Sequence, residues 1–422
     1  MTTIEKKAVY IIIAFTVVQL AILFTFGYTP YPDSEGYIKL ANETISQGEC
    51  FYPTLQQVKE LLFVWNIGSI NAVIFSLLAF KSVTPLLVLY SLMKGCSAFL
   101  VYLIAKKTTN GKAAMLALVI YAIYPANYGE STSTHSELPF IFFNLAGIAA
   151  ALYSRTFIGG ALMAIGNWFR PMGMVFLLSV ITMFAVKRQK AKSNIAKIIA
   201  GYATVIMLSG GVSYTLNREF LYQGQQGWMA LMQYSWDNDT DRSADSLMFQ
   251  HSDPIYYPEG FDVMQRDSLW RSHFFIWLRH NPEEYFRQMP YKLAKTYVSD
   301  NVNMCTFLKG KREKEYMYGE LSMAGLAKSF PHYSATQILT LVNLAFYYLL
   351  MATFCAGICL SIKRKAFGNL LLPTCAITLG TAVLLFAGHG EVRFHIPFMP
   401  LVIIAVAWTI DTLRQNLKTR QP

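Results

Sequence analysis

The residues best placed to do chemistry are the two carboxylates in Tyr31-Pro32-Asp33-Ser34-Glu35-Gly36-Tyr37. That stretch follows directly on an uncharged apolar run, Ala8 to Tyr28, about long enough to cross a bilayer as a helix. Asp33 and Glu35 therefore stand at a membrane–water interface, where partial desolvation suits a carboxylate to act as a base or to hold a cation. The plainer reading is a solvated turn, because Pro, Asp, Ser and Gly are turn formers. Further ionisable residues fall at the ends of later apolar runs: Glu130, His135 and Glu137; Arg170; and His389, Glu391, Arg393 and His395. Carboxylates suit deprotonation of an acceptor hydroxyl. Arginine offers a phosphate or diphosphate a bidentate fork, and the histidines add donors. The alternative is that Arg170 pairs with Glu137, and Arg393 with Glu391, only to hold helix ends.

Composition says what must position these groups. The 422 residues are 54% hydrophobic and 14% charged, where a soluble domain carries about a quarter charged residues. The expected class is an all-α polytopic membrane protein. A net charge of +11 would suit a nucleic-acid binder, but the basic residues lie in short clusters between apolar runs, as cytoplasmic loops do. Cys96, Cys355, Cys359 and Cys375 fall inside apolar runs, where cysteine packs as a small hydrophobe. Cys50 and Cys305 lie in polar segments and are candidates for a disulfide that no spacing rule requires. No metal-ligand cluster has recognisable spacing; Asp33 and Glu35 could hold a divalent ion, but nothing visible requires one.

Lysine and arginine counts set the orientation. Lys6 and Lys7 place the N-terminus in the cytoplasm and the Asp33 loop outside. Residues 36–48 read as a short amphipathic helix, and 61–80, broken by Asn66, Gly68, Ser69 and Asn71, as an interfacial segment. About ten spans follow from the apolar runs: 8–28, 83–105, 113–127, 136–153, two short ones within 157–186 broken at Arg170-Pro171, 195–216, 335–362, 370–387 and 396–413. Both termini are then cytoplasmic. The chain divides into a transmembrane module at 1–216 with a first outer loop at 29–82, an external and mainly helical segment of about 120 residues at 217–334, and a transmembrane module at 335–422. Within the external segment Asn281-Pro282-Glu283-Glu284 reads as a helix start. The helix it opens runs to about Val298, with Tyr285, Met289, Leu293 and Tyr297 along one stripe.

Four stretches resemble the GT-C integral-membrane glycosyltransferases that use polyprenyl- or dolichyl-phosphate sugars, among them protein O-mannosyltransferases and the lipid A aminoarabinose transferase. Asp33-Ser34-Glu35-Gly36-Tyr37, leading to Ala41, is similar to their acid motif after the first span. Ser136-Glu137-Leu138-Pro139-Phe140 resembles their acid at the outer end of a middle span. Asn167-Trp168-Phe169-Arg170-Pro171-Met172-Gly173 resembles their Arg-Pro break, and Glu391-Val392-Arg393-Phe394-His395-Ile396-Pro397 their late Arg-aromatic segment. The resemblance implies an inverting transfer of a sugar from a lipid phosphate on the outer face. It makes Asp33 the expected base and Arg393 the expected phosphate-binding group, with Arg170 and His395 as further candidates and Glu137 and His389 beside them. The sequence has Asp-Ser-Glu where many relatives have adjacent acids, so Asp33 and Glu35 both stand as candidates.

The expected partners are a polyprenyl-phosphate-sugar donor, a glycan, lipid or protein acceptor and the bilayer, with no nucleic acid. The default location is a bacterial inner membrane with the site in the periplasm. A transporter or flippase of lipid-linked saccharides would use the same basic groups without chemistry, and an O-antigen-type polymerase or ligase would also place arginines on an external loop. Against transport, the ionisable residues crowd one surface and no internal repeat is evident.

Overall fold

The computed structural model describes residues 3–188, 191–236, 260–307, 333–388 and 390–419. Helices dominate, and among the described residues the only extended pairing is an isolated bridge between Val64 and Gln225. The first helices are α1 (Thr3–Phe26), α2 (Pro32–Ser46), α3 (Leu55–Glu60), α4 (Ile67–Phe80), α5 (Thr84–Thr108) and α6 (Gly111–Ile123). Two 3₁₀ turns, Pro125–Tyr128 and Glu130–Thr132, lead into α7 (Glu137–Leu152), α8 (Thr156–Phe169), α9 (Gly173–Lys187) and α10 (Ala191–Asn217). Then come α11 (Gly227–Trp236), α12 (Val263–His280), α13 (Pro282–Arg287), α14 (Met289–Tyr297) and the 3₁₀ turn Asn301–Thr306. The chain closes with α15 (Ala335–Lys363), α16 (Leu371–Ala387), the 3₁₀ turn Ile396–Phe398 and α17 (Met399–Thr419).

A helix stands at each of the ten stretches read as spans. Five helical segments, Ile4–Phe26, Thr84–Thr108, Ala191–Asn217, Ala335–Lys363 and Ile396–Leu417, are long and apolar enough to cross a membrane. The helices α6, α8, α9 and α16 are apolar but shorter, at 13 to 17 residues, or roughly 20–25 Å against a hydrocarbon layer of about 30 Å. Among the long ones, α17 is central, with 89% of its apolar window buried, whereas α1 is peripheral at 17%.

Glycines set the closest helix contacts. A Cβ on Gly147 of α7 would lie 2.7 Å from the Gly159 carbonyl oxygen of α8, and the Gly159 Cβ would meet the Gly147 oxygen at the same distance. On its other side Gly160 faces the Ile198 carbonyl of α10, and Gly201 of α10 faces the Phe157 carbonyl. Small residues that let backbones touch are the usual means of packing apolar helices where lipid supplies no hydrophobic drive. They fix α8, whose C-terminal end carries Arg170.

The structure refines three stretches. The acid motif lies in the first turn of a helix, because α2 begins at Pro32 and not at residue 36. The 61–80 segment is a short irregular stretch followed by α4, which buries Ile67, Gly68, Ile70, Val73 and Ile74 against protein. The helix expected over 282–298 is two helices, parted at Gln288 ahead of Pro290. Asn281 does not cap the first of them; its amide donates instead to the Trp277 carbonyl of α12 at 3.0 Å.

Candidate functional site

The α2 helix starts where Tyr31 is extended and Pro32 occupies the first helical position. Asp33 sits in the first turn, where the helix dipole favours an anion. One face of α2 is buried through Ser34, Tyr37, Leu40, Ala41 and Thr44. Ser34 Oγ lies 2.6 Å from Ser133 Oγ, and the Tyr37 hydroxyl accepts a hydrogen bond from Asn66 Nδ2 at 2.8 Å. Two residues along a helix are turned by about 200°, so Asp33 and Glu35 cannot face one substrate atom together. Asp33 points into the bundle end; Glu35 is exposed.

Arg393 is the hub. Its Nη1 donates to Asp33 Oδ2 at 2.6 Å. Its Nε lies 2.9 Å from Glu391 Oε1 and 3.8 Å from Glu137 Oε1. Glu137 in turn accepts from Arg170 Nη1 at 2.5 Å. Arg170 reaches this point because the residue before a proline is pushed out of helical geometry: it is extended at φ −154° and ends α8. The Gly173 N–H then donates to Asn167 Oδ1 at 3.0 Å and starts α9. The Arg170 guanidinium lies 4.9 Å from the centre of the Phe394 ring, and that of Arg393 5.8 Å from the Tyr31 ring.

Exposure separates the carboxylates. The side chains of Asp33 and Glu391 are 26% and 27% exposed, that of Glu137 only 5%. A substrate can reach the first two and not the third. Both helix-end pairs, Arg170–Glu137 and Arg393–Glu391, are present; the approach of Arg393 to Glu137 links them into one network, and Asp33 adds to it through Arg393. Three carboxylates against two guanidinium groups leave one net negative charge.

The loop carrying Arg393 is braced by α14. A Cβ on Gly390 would lie 2.6 Å from the Lys292 carbonyl oxygen. Gly390→Ala is therefore expected to push this loop off α14 and to lose about 1–3 kcal/mol of stability; a lowered melting temperature with weakened activity checks it. His395 Nδ1 lies 2.7 Å from the Thr296 carbonyl oxygen, which can only accept, so this nitrogen carries the proton. The ring packs on Tyr297 and Tyr347. Burial pushes the imidazole down to about 4 from 6.5. At neutral pH His395 is thus an uncharged brace and not a cation for phosphate.

That shift has a sign. The unfolded imidazole takes up a proton below pH 6.5 and the folded one only near 4, so stability is full above pH 6.5 and falls between 6.5 and 4, by about 3 kcal/mol at most. Melting curves at pH 7.5 and 5 should therefore differ more for the wild type than for His395→Gln, which keeps a donor for Thr296.

His135 is also buried, with its ring edge-on to Tyr31 at 4.4 Å between centroids, and burial lowers its pKa. Sequence reasoning passed over Lys94, which forms a buried ion pair with Glu130. The signal was there: a lone lysine inside an apolar run is costly unless paired. His389 and the side chain of Cys305 lie outside the described residues; Cys50 is a free, exposed thiol. Among the described residues no three His, Cys, Asp or Glu side chains gather as a metal's ligands would. Asp33, Glu391 and Glu137 gather around the Arg393 guanidinium.

No family model and no curated protein sequence matches the chain. Its fold is similar to that of the archaeal oligosaccharyltransferase AglB from Archaeoglobus fulgidus, solved in complex with an inhibitory peptide and a dolichol-phosphate. The TM-score is 0.53 and the identity 12%, over 99% of this chain and 51% of that one. The apo form of the Archaeoglobus fulgidus oligosaccharyltransferase matches with a TM-score of 0.47 and 12% identity, over 97% of this chain and 51% of that one. The chain thus spans about half the length of the solved structures it matches. The neighbour has the GT-C fold, and the helical arrangement here is of that kind.

Proposed function

We propose that this chain is a membrane glycosyltransferase, moving a sugar from a polyprenyl-phosphate donor to an acceptor hydroxyl with inversion at the anomeric carbon. The observation that carries the reading is Asp33, a partly exposed carboxylate held by a guanidinium at one end of an apolar helix bundle. The likeness in fold to AglB is a second support. Asp33 takes the proton of the acceptor hydroxyl as its oxygen attacks the anomeric carbon. The bond from that carbon to the phosphate oxygen breaks, and the electron pair leaves with the lipid phosphate. Positive charge at the leaving oxygen stabilises the transition state.

With one net negative charge in the network, a phosphate enters only by exchange. The lipid phosphate takes Arg393 in place of Asp33, and the same movement frees Oδ2 of Asp33 for the acceptor proton. Arg170 and Glu137 are positioning residues behind Arg393, and Glu391 keeps the guanidinium at the mouth. Glu35 takes no part. No step passes through a metal, so transfer is expected to survive EDTA; activity lost to the chelator and restored by a divalent ion would overturn that part.

In this reading the ten helices named above cross or enter the membrane as the modules 1–216 and 335–422, with 217–334 on the outer side. Both termini are cytoplasmic, and the site faces the periplasm of a bacterial inner membrane. The acceptor is a glycan, a lipid or a protein hydroxyl. The deciding assay offers purified protein in liposomes a panel of radiolabelled polyprenyl-phosphate sugars. Release of free polyprenyl phosphate with sugar transfer supports the reading. Binding of a donor that is never cleaved, on any acceptor, points to transport instead.

A further inference from the structure

The helix α14 and the turn before it are inside-out for a segment in water. Lys292 is 3% exposed and Thr296 2%, whereas Leu293 is 42% and Tyr291 65% exposed. Phe286 and Val298 are more than half exposed as well. The stretch from Phe286 to Val298 contains no acidic residue, and Arg287 and Lys295 are the charges on its open face, Arg287 also pairing with Glu284 of α13 at 2.7 Å. An aqueous helix turns its apolar side inward. A helix lying in a bilayer interface shows apolar and aromatic residues outward, with basic residues whose stems reach up to the headgroups.

The contacts of α14 place it at depth. The Tyr297 hydroxyl lies 2.5 Å from Thr381 Oγ1, and the Tyr285 hydroxyl donates to the Phe386 carbonyl oxygen at 2.7 Å, both on the last turns of α16. Tyr347 and Tyr348 of α15 donate to the carbonyl oxygens of Tyr297 and Val298 at 3.0 and 2.7 Å. The 29 residues of α15 measure about 43 Å, which exceeds a hydrocarbon layer of about 30 Å by roughly 13 Å. Tyr348 lies about 20 Å along the helix from Ala335. Even if the whole surplus projects outward, Tyr348 is below the membrane boundary.

We propose that α14, with the end of α13 from Phe286 onward, lies in the outer leaflet, with Phe286, Tyr291, Leu293 and Val298 against phospholipid acyl chains and Arg287 and Lys295 at the lipid phosphates. This surface is separate from the Arg393 network, although it rests on α15 crossing the membrane. Its buried side carries the Thr296 and Lys292 carbonyls that brace the Arg393 loop, so lipid seats one wall of the site.

The test places the photo-crosslinker p-benzoylphenylalanine singly at Tyr291, Leu293, Phe24 and Glu49, in nanodiscs of phosphatidylglycerol and phosphatidylcholine, and reads lipid adducts by intact mass. Tyr291, Leu293 and Phe24 are exposed apolar positions and Glu49 an exposed polar one, so each tolerates the substitution. The expected result is adduct at Tyr291 and Leu293 as high as at Phe24 on α1, with little at Glu49. Yields at Tyr291 and Leu293 as low as at Glu49, or crosslinks to a second protein copy instead of lipid, overturn the proposal. If Phe24 also fails to capture lipid, the membrane placement of the helices themselves falls.

Discussion

Arg393→Met will abolish sugar transfer and lower the melting temperature sharply, whereas Arg393→Lys will recover much of the stability and little of the activity. The guanidinium stands between three carboxylates, and its side chain is 13% exposed. Removing one partner of a buried ion pair leaves the other charges uncompensated, at a cost of about 3–5 kcal/mol. Glu137 keeps Arg170, so the loss concentrates on Asp33 and Glu391. Lysine restores the charge but not the planar fork that holds two acids at once, and it cannot pass one arm to a phosphate while keeping the other on Glu391. Melting in nanodiscs reads the first effect and donor turnover the second. Adding Asp33→Asn to Arg393→Met should return part of the lost stability. If the double variant is as unstable as the single one, Asp33 and Arg393 are not coupled as described.

The second large effect separates the carboxylates at the mouth. Asp33→Asn is expected to slow transfer by about 10²–10⁴-fold, the range for removing a general base, with donor binding and melting temperature nearly kept. The reason for the mild structural effect is that an amide oxygen at the position of Oδ2 still accepts from Arg393 Nη1. Glu391→Gln should weaken donor binding more than turnover, because Glu391 steadies the guanidinium and does not meet the acceptor. Glu35→Gln should change neither, being exposed on the other side of α2. If Glu391→Gln produces the large loss in turnover and Asp33→Asn does not, the two acids exchange roles.

Much of this arrangement is legible in the sequence, for a physical reason. Asp33, Glu137, Arg170 and Arg393 each interrupt or end an apolar run, and a charge at that depth is too costly to be incidental. Pro171 marks where α8 must stop, and Pro32 marks where α2 starts. What stays hidden is convergence. Nothing in the spacing of positions 33, 137, 170, 391 and 393 says that one guanidinium gathers three of the acids. For Lys94 the sequence signals that a partner is needed, but not that the partner is Glu130. The 282–298 region stays open for another reason. A stripe of Tyr285, Met289, Leu293 and Tyr297 suits either core or membrane-surface packing, and the sequence does not say which residue goes to which. Here Tyr285 is buried and Leu293 is not.

The contact between Asp33 and Arg393 closes across 360 residues of chain. Ribosomes add about 5–20 residues per second, so the carboxylate at the first turn of α2 emerges roughly twenty seconds to more than a minute before its counter-ion is synthesised. Until then Glu137 already has Arg170 in the chain, whereas Asp33 has no counter-ion. The site is therefore made last, by the insertion of α16 and α17. Chains that stop short of this segment lack Glu391 and Arg393 together, so Glu137 keeps Arg170 and Asp33 alone is left without its counter-ion.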